Sequence, residues 1–229
     1  MQAIADKTTL GWLKELPLPF LSDEEIDLIE KASVRLVFKK GETIIKQGGQ
    51  PTHVALLKEG IVKFNYENEL NKNLILAIVS SPKILGGANL FYQNNNLFSI
   101  VAVEPCDVVL IEAPVILQLM KNNATFSFTI LQLTSEMFKK TIVNFVSLAS
   151  KHKEGRIADI IIHLAENVYH SNAFQLSLTR KELAEFASCS PENVIMTLSR
   201  WQKENIIQCS GKGLEILELE KLKFISKNG

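Results

Sequence analysis

Two pairs of side chains near the C-terminal end of the sequence have the types and spacing that begin helices. Thr179 precedes Glu182 by three residues, the capping-box pattern in which each side chain hydrogen-bonds the other residue's backbone N–H. Ser190 is a preferred N-cap residue, and Pro191 suits the first helical position. Residues 188–189 then form the short connection. This pattern predicts a helix-turn-helix, which places its second helix in the major groove of DNA, the alternative being an αα-corner that contacts no DNA.

A β-hairpin is predicted directly after the second of these helices. Residues 206–207 and 214–217 are apolar and flank a glycine-rich tip at residues 210–213. A hairpin in this position is a wing, and Lys212 at its tip is a candidate DNA contact. The wing makes the DNA-binding interpretation of the helix pair the favoured one.

Other chemistry has little support in the sequence. Cys106, Cys189 and Cys209 lie far apart without a C-x-x-C pair, so neither a disulfide framework nor a structural zinc site is predicted. His53 is the only histidine among the predicted strands and cannot by itself build a metal-dependent cupin site or indicate a haem. No Ser/His/Asp or Cys/His arrangement is evident, so we predict no catalytic residue, no metal and no cofactor.

The elements that precede the helix pair predict an α+β chain. Between residues 34 and 111, short β-branched runs are separated by glycine and proline turns, which is typical of a small antiparallel β-roll or barrel. The predicted strands are 34–38, 43–45, 54–57, 61–66, 74–79, 99–103 and 108–111. Flanking helices are predicted at 8–31, with a break at 16–19, and at 113–122.

A long helix over Thr125–Ser150 carries two apolar stripes. One contains Ile130, Leu133, Met137, Asn144 and Leu148, and the other contains Leu131, Phe138, Ile142, Phe145 and Ala149. One stripe suffices to dock a helix on its own domain, so the second predicts a further partner, namely the same helix of another subunit. The alternative is that both stripes face one monomeric core.

Composition bounds the class of protein. The 229 residues include 25 basic and 25 acidic side chains, so any DNA binding must come from local patches and not from bulk charge. Residues 151–155 are polar, end the long helix with a glycine and mark the predicted boundary between residues 124–150 and 151–229; the β-roll unit is 1–123. With no signal-peptide pattern and no apolar run long enough to cross a membrane, a cytoplasmic location is predicted.

The chain resembles the CRP/FNR family of bacterial transcription regulators over essentially its full length. The segments that carry the resemblance are KKGETIIKQGGQPTHVALLKEGIVKFNY (39–66), the long helix, GRIAD (155–159) and LTRKELAEFASCSPENV (178–194). The resemblance implies a homodimer of cyclic-nucleotide-binding-like β-rolls (double-stranded β-helices), joined by long dimerisation helices to winged helix-turn-helix domains.

The resemblance also implies a set of DNA contacts. Family phosphate contacts fall on Thr179, Arg180, Lys181 and Ser190 at two helix N-termini, where N–H groups favour phosphate oxygens. Glu192 matches the family's base-reading glutamate, which accepts from cytosine N4. The sequence departs from the family at Met196, which replaces an arginine. Asn193 is a candidate adenine or phosphate contact, and Arg200 is either a backbone contact or a solvated charge.

The implied sensor pocket departs more strongly from the cyclic-AMP-binding branch. That branch places a glutamate on the ribose and an arginine on the cyclic phosphate, whereas Gly87 and Leu97 or Phe98 stand at those positions here. Without these charges a cyclic nucleotide would lose its ion pair. The candidate effector pocket comprises Gly86, Gly87, Ala88, Asn89, Leu97 and Phe98. It either takes a hydrophobic or weakly polar effector or is filled by its own side chains, in which case DNA binding needs no effector. The absence of cysteine before Cys106 argues against an iron–sulfur cluster.

We therefore predict a sequence-specific transcription regulator that binds a palindromic operator as a homodimer. Its expected partners are double-stranded DNA, a second copy of itself and RNA polymerase, with an effector of unknown identity. The alternative is a cupin-like small-molecule-binding protein or enzyme whose C-terminal domain mediates protein interaction. The operator sequence, the regulated genes and the direction of regulation do not follow from the sequence.

Overall fold

The computed structural model describes residues 2–3, 21–70, 72–87, 90 and 95–229. The predicted helix segment before residue 21 lies outside these residues. The described chain divides into two compact units. One comprises its residues up to Phe64 together with Ser80–Lys139, and the other comprises Asn65–Val79 with Lys140–Gly229.

Short antiparallel strands form the β-roll, and their positions follow the β-branched runs and glycine turns of the sequence. The strands are β1 (Gln2–Ala3), β2 (Ser33–Phe38), β3 (Thr43–Ile45), β4 (His53–Glu59), β5 (Ile61–Glu67), β6 (Asn73–Ser80), β7 (Lys83–Leu85), β8 (Ser99–Ala102) and β9 (Cys106–Glu112). Their order is β1-β2-β9-β4-β7 in one sheet and β3-β8-β5-β6 in the other. The α+β roll predicted from the sequence is confirmed.

Helices pack on the five-stranded sheet of the first unit. Helix α1 (Asp23–Lys31) begins with a capping box between Ser22 and Glu25, and α2 (Ala113–Asn122) has a proline in its first turn. Apolar side chains of both helices, of the start of α3 (Ala124–Ser150) and of β4 and β9 form one buried cluster. The cluster comprises Ile29, Val54, Leu56, Val109, Ile111, Val115, Ile116, Leu119 and Phe126.

The second unit contains the C-terminal elements. They are α4 (Lys153–His163) with a π-helical turn at Leu164–Val168, β10 (Ala173–Gln175), α5 (Arg180–Ala187), α6 (Pro191–Lys203), β11 (Ile207–Ser210), β12 (Gly213–Ile216) and α7 (Leu219–Asn228). Strand β12 pairs with both β10 and β11, in antiparallel register. Among the described residues, no helix combines the length and apolar character needed to cross a bilayer.

The predicted role of one glycine is wrong. The long helix does end at Ser150, as predicted, but Gly155, interpreted as the glycine that ends it, lies in the first turn of α4. A Cβ on Gly155 would lie 2.6 Å from the carbonyl oxygen of Gly229. This glycine therefore permits a close backbone approach between α4 and the end of α7, and it does not terminate a helix.

Candidate DNA-binding interface

The α5–α6 pair has the helix-turn-helix geometry that the capping residues predict. Thr179 Oγ1 accepts a hydrogen bond from Glu182 N, and the Glu182 side chain accepts one from Thr179 N, which begins α5. Helix α5 ends at Ala187, and its C-cap residue Ser188 adopts the left-handed conformation with φ of 52°. Ser190 Oγ then accepts from Asn193 N at 3.3 Å and begins α6. Three residues therefore reverse the chain between the two helices.

Three large side chains anchor α6 in the core of the second unit. Val194, Leu198 and Trp201 expose 3% of their surface or less. These positions are four and three residues apart, which places the three side chains on one face of the helix. Because these residues fill one side of α6, the opposite side is held outward, and it contains Glu192, Ile195, Met196, Ser199 and Lys203.

The predicted phosphate contacts lie at the N-termini of the two helices. Thr179 and Ser190 are the N-cap residues, and Arg180 and Lys181 follow in the first turn of α5. The Lys181 ammonium is largely exposed, with Glu185 Oε1 3.8 Å away. The first N–H groups of each helix and the neighbouring cations give both N-termini the chemistry of a phosphate contact.

Glu192 presents an ionised carboxylate on the outward face of α6. The Ser190 side chain hydrogen-bonds this carboxyl, and this contact is the main reason that its pKa lies below the usual range. A carboxylate accepts hydrogen bonds and donates none, so it can pair with an amino group such as cytosine N4. The geometry therefore supports the base-reading role that the resemblance implies for Glu192.

Two further candidate residues are engaged by α4. Asn193 Oδ1 accepts a hydrogen bond from Lys153 Nζ at 2.8 Å, and the Arg200 guanidinium forms an ion pair with Glu154. The pair with Arg200 is the main cause that lowers the pKa of Glu154. Arg200 is therefore paired within the domain, and Lys153, absent from the predicted set, brings an exposed cation beside the N-terminal turn of α6.

Arg156 is a second residue that the sequence interpretation missed. Its guanidinium donates to the carbonyl oxygens of Ala187 (2.8 Å) and Ser188 (3.2 Å) in the turn between α5 and α6. It also donates to the carbonyl of Lys151 at 3.0 Å, just beyond the end of α3. One side chain thus ties the helix-turn-helix to the connection between α3 and α4. The GRIAD segment contains it, but these partners lie up to 32 residues away.

The wing is formed as predicted by β11 and β12. Lys212 is exposed at its tip, beside Gly211, which adopts a positive φ of 58°. The Lys212 carbonyl accepts from Leu176 N at 2.8 Å, so the tip is tied to the chain that follows β10. The wing therefore presents a cation from a supported hairpin.

The predicted effector-pocket residues are only partly described, since Ala88 and Asn89 lie outside the described residues. Gly86 has a φ of 81°, and Gly87 lines an apolar cavity of about 20 Å³ together with residues of the first unit's core. Leu97 and Phe98 do not line that cavity. Leu97 is half exposed, and the Phe98 ring packs on Phe64 with centroids 5.1 Å apart.

Among the residues that the structure describes, no three His, Cys, Asp or Glu side chains form a group that could hold a metal. His53 hydrogen-bonds Thr52 through Nδ1 at 2.9 Å. The Cys106 thiol is buried and contacts the carbonyls of Ile61 and Glu104, and burial raises its pKa to about 11.

Comparison with known proteins identifies both parts of the chain. Residues 35–123 match the cyclic nucleotide-binding domain, and residues 155–225 match the Crp-like helix-turn-helix domain. The cAMP-activated global transcriptional regulator CRP of Pasteurella multocida is 26% identical over 178 residues, covering 76% of this chain and 85% of that protein. Electron transport regulator A of Shewanella oneidensis is 23% identical over 219 residues, covering 93% and 87%.

Solved structures show the same fold. FixK2 from Bradyrhizobium japonicum superposes with a TM-score of 0.78 at 14% identity, covering 84% of this chain and 96% of that one. A CRP/FNR-family transcriptional regulator from Thermus thermophilus gives 0.66 at 22% identity, covering 85% and 98%. The roll, the winged helix-turn-helix and the two matching domain models together show that the chain belongs to the CRP/FNR family of transcription regulators.

Proposed function

We propose that this regulator binds a palindromic operator as a homodimer and does so without cyclic AMP. The observation that carries the proposal is the outward face of α6, which presents Glu192 in its first turn and is held in place by the buried Val194 and Trp201. A helix so held can enter a major groove while the N-termini contact the flanking phosphates. The chain acts through binding and not as an enzyme.

The second copy is proposed to cover one apolar stripe of α3. In the single chain Leu131, Phe138 and Phe145 expose 60%, 65% and 69% of their surface, whereas Ile130 and Leu133 of the other stripe are half-buried. Exposed aromatic side chains in a continuous row are typical of an interface. A two-fold axis along α3 would pair this stripe with itself, and such a dimer would match the symmetry of a palindrome.

The roll is proposed to bind no cyclic nucleotide. Gly87 lines a small apolar cavity, and Phe98 packs against Phe64, so these residues offer apolar surface and no charge to an anionic phosphate. The packed aromatic pair favours a filled pocket and DNA binding without an added effector. Acting on transcription in the cytoplasm, the dimer would have RNA polymerase as a further partner.

Selection of bound DNA from a random pool by the purified protein tests the proposal. We expect a palindrome whose half-site centres lie about one helical turn, roughly 34 Å, apart. Glu192→Ala should relax the preference for one base pair in each half-site. Arg180→Ala should weaken the binding of DNA by the same factor whatever its sequence. Failure to enrich any palindrome would contradict the proposal. Calorimetry with cyclic AMP should show no dissociation constant at or below about 10 µM, and a constant in that range would contradict the cyclic-AMP part of the proposal.

A further inference from the structure

The outward face of α6 carries apolar side chains where it would meet DNA. Ile195 is 50% exposed and Met196 is 70% exposed. At about 100° per residue, Met196 lies on the same ridge as Glu192 and Ser199, opposite the buried Trp201, and Ile195 lies beside that ridge. These apolar groups are therefore neither part of the core nor on its margin.

Polar side chains that flank this ridge are held by α4. Lys153 donates to Asn193, and Glu154 pairs with Arg200, so both flanking groups already have partners within the domain. In the next turn after Glu192, the outward surface is thus formed mainly by Ile195 and Met196. Neither side chain can donate or accept a conventional hydrogen bond, so this part of α6 cannot distinguish bases by hydrogen bonding.

One base presents an apolar group in the major groove. Thymine carries a C5-methyl group there, whereas guanine, adenine and cytosine present hydrogen-bonding groups at their edges. Two exposed cations lie on or next to this helix, Lys203 on the ridge itself and Lys153 beside the N-terminal turn, where it contacts Asn193. They match a phosphate backbone, and this charge complementarity favours DNA over an apolar protein surface as the occupant. We propose that Ile195 and Met196 read thymine methyl groups beside the cytosine read by Glu192.

This inference rests on the proposed function and specifies the bases that α6 reads. Met196 lies one helical turn after Glu192, which is a rise of about 5.4–6 Å along the helix. Successive bases of one strand are about 3.4 Å apart. The half-site should therefore contain a cytosine and, one or two base pairs away, a thymine on either strand.

Uracil substitution tests the proposal on the selected operator. Replacing thymine by uracil removes the methyl group and leaves the hydrogen-bonding groups of the base unchanged. Burial of one methyl-sized group corresponds to about a fourfold change in affinity. Because the dimer contacts two half-sites, the uracil operator should bind the wild-type dimer about sixteenfold more weakly when one methyl group is contacted in each half-site. Met196→Ala should bind thymine and uracil equally at one position of the half-site, and Ile195→Ala should do so at the neighbouring position.

Glu192→Ala is the matched control on the same ridge. It should lose the cytosine preference and keep the full effect of uracil. Met196→Arg should instead shift the preference at the thymine position toward guanine, since arginine pairs with guanine O6 and N7. Because Met196 is exposed, the midpoint of urea unfolding of these variants should equal that of the wild-type protein.

Two results would overturn the inference while leaving the proposed function intact. One is equal binding of thymine and uracil operators by the wild-type protein, together with a retained cytosine preference. The other is an undiminished uracil effect in both Ile195→Ala and Met196→Ala. Failure of the proposed function has a different signature, because the protein would then prefer no sequence over random DNA.

Discussion

Phe138→Glu perturbs the proposed dimer and not the fold of the single chain. Phe138 is 65% exposed, and a buried aromatic side chain covers about 150–250 Å² in all, so the partner would cover roughly 100 Å² of it. At about 25 cal/mol/Å² this area contributes about 2.5 kcal/mol per subunit, and two-fold symmetry doubles it to about 5 kcal/mol per dimer. The dimer dissociation constant should therefore rise a thousandfold or more, and the buried carboxylate adds to the effect.

Sedimentation velocity over a concentration series measures this change. We expect a wild-type dimer and a Phe138→Glu monomer at micromolar concentration, with equal urea unfolding midpoints when both are monomeric. Lys139→Glu is the matched control, since it introduces the same residue at the next position, about 100° around α3 and off both stripes. A wild-type monomer, or a Phe138→Glu dimer of unchanged affinity, would refute the assignment of this stripe to the interface.

Three further predictions concern stability and reactivity. Gly60→Ala should destabilise the roll by about 2–4 kcal/mol in urea unfolding, because φ is 108° and the new Cβ would lie 2.7 Å from Cys106 Sγ and Pro105 O. Gly41→Ala is the control, since φ is 85° there but the new Cβ would meet open space, and it should lower the free energy of unfolding clearly less. The second prediction concerns the pH dependence of stability through His163. Its Nε2 donates a hydrogen bond to Ile78 O (2.9 Å), and its ring packs on Phe186. Burial is the main cause that lowers the pKa of His163, and the charge of Lys140 lowers it further. As the pH falls, the imidazole of His163 is therefore protonated in the unfolded chain before it is protonated in the folded chain. The free energy of unfolding should fall as the pH drops below about 6.5, and His163→Gln should reduce this pH dependence. An unchanged pH dependence in the variant would contradict the role given to His163. Cys106, with its pKa raised to about 11, should resist iodoacetamide in the native state while half-buried Cys209 reacts, as mass spectrometry of the labelled peptides would show.

Local signals predicted the elements of this fold well. Thr179 and Ser190 cap α5 and α6 as their types and spacing indicate, because a cap depends on residues only three positions apart. The predicted strand 43–45 is reproduced as β3, and the two stripes of α3 differ in burial in the single chain. Strand β7 was not predicted, because its three residues lie between the turn residues 81–82 and 86–87 and were included with that turn region.

The parts of the interface that were missed depend on distant partners. Lys153 belongs to the polar segment that the sequence marks only as a boundary, and Arg156 belongs to the GRIAD segment that follows it. Their contacts reach Asn193 and Ser188. Gly155 was interpreted as a helix end because glycine often ends helices, and its contact with the backbone of Gly229 is a tertiary feature. A local sequence pattern cannot specify which lysine or arginine will hydrogen-bond a carbonyl or an amide oxygen that lies far away in the sequence.

A stoichiometric titration of fluorescent duplexes tests most directly whether α6 of a dimer reads a palindrome. We expect two chains per palindromic duplex and binding at least about a thousandfold tighter than to a scrambled duplex at physiological salt. Glu192→Ala should lose most of this ratio. One chain per duplex, or equal affinity for the palindromic and scrambled duplexes, would contradict this role of α6.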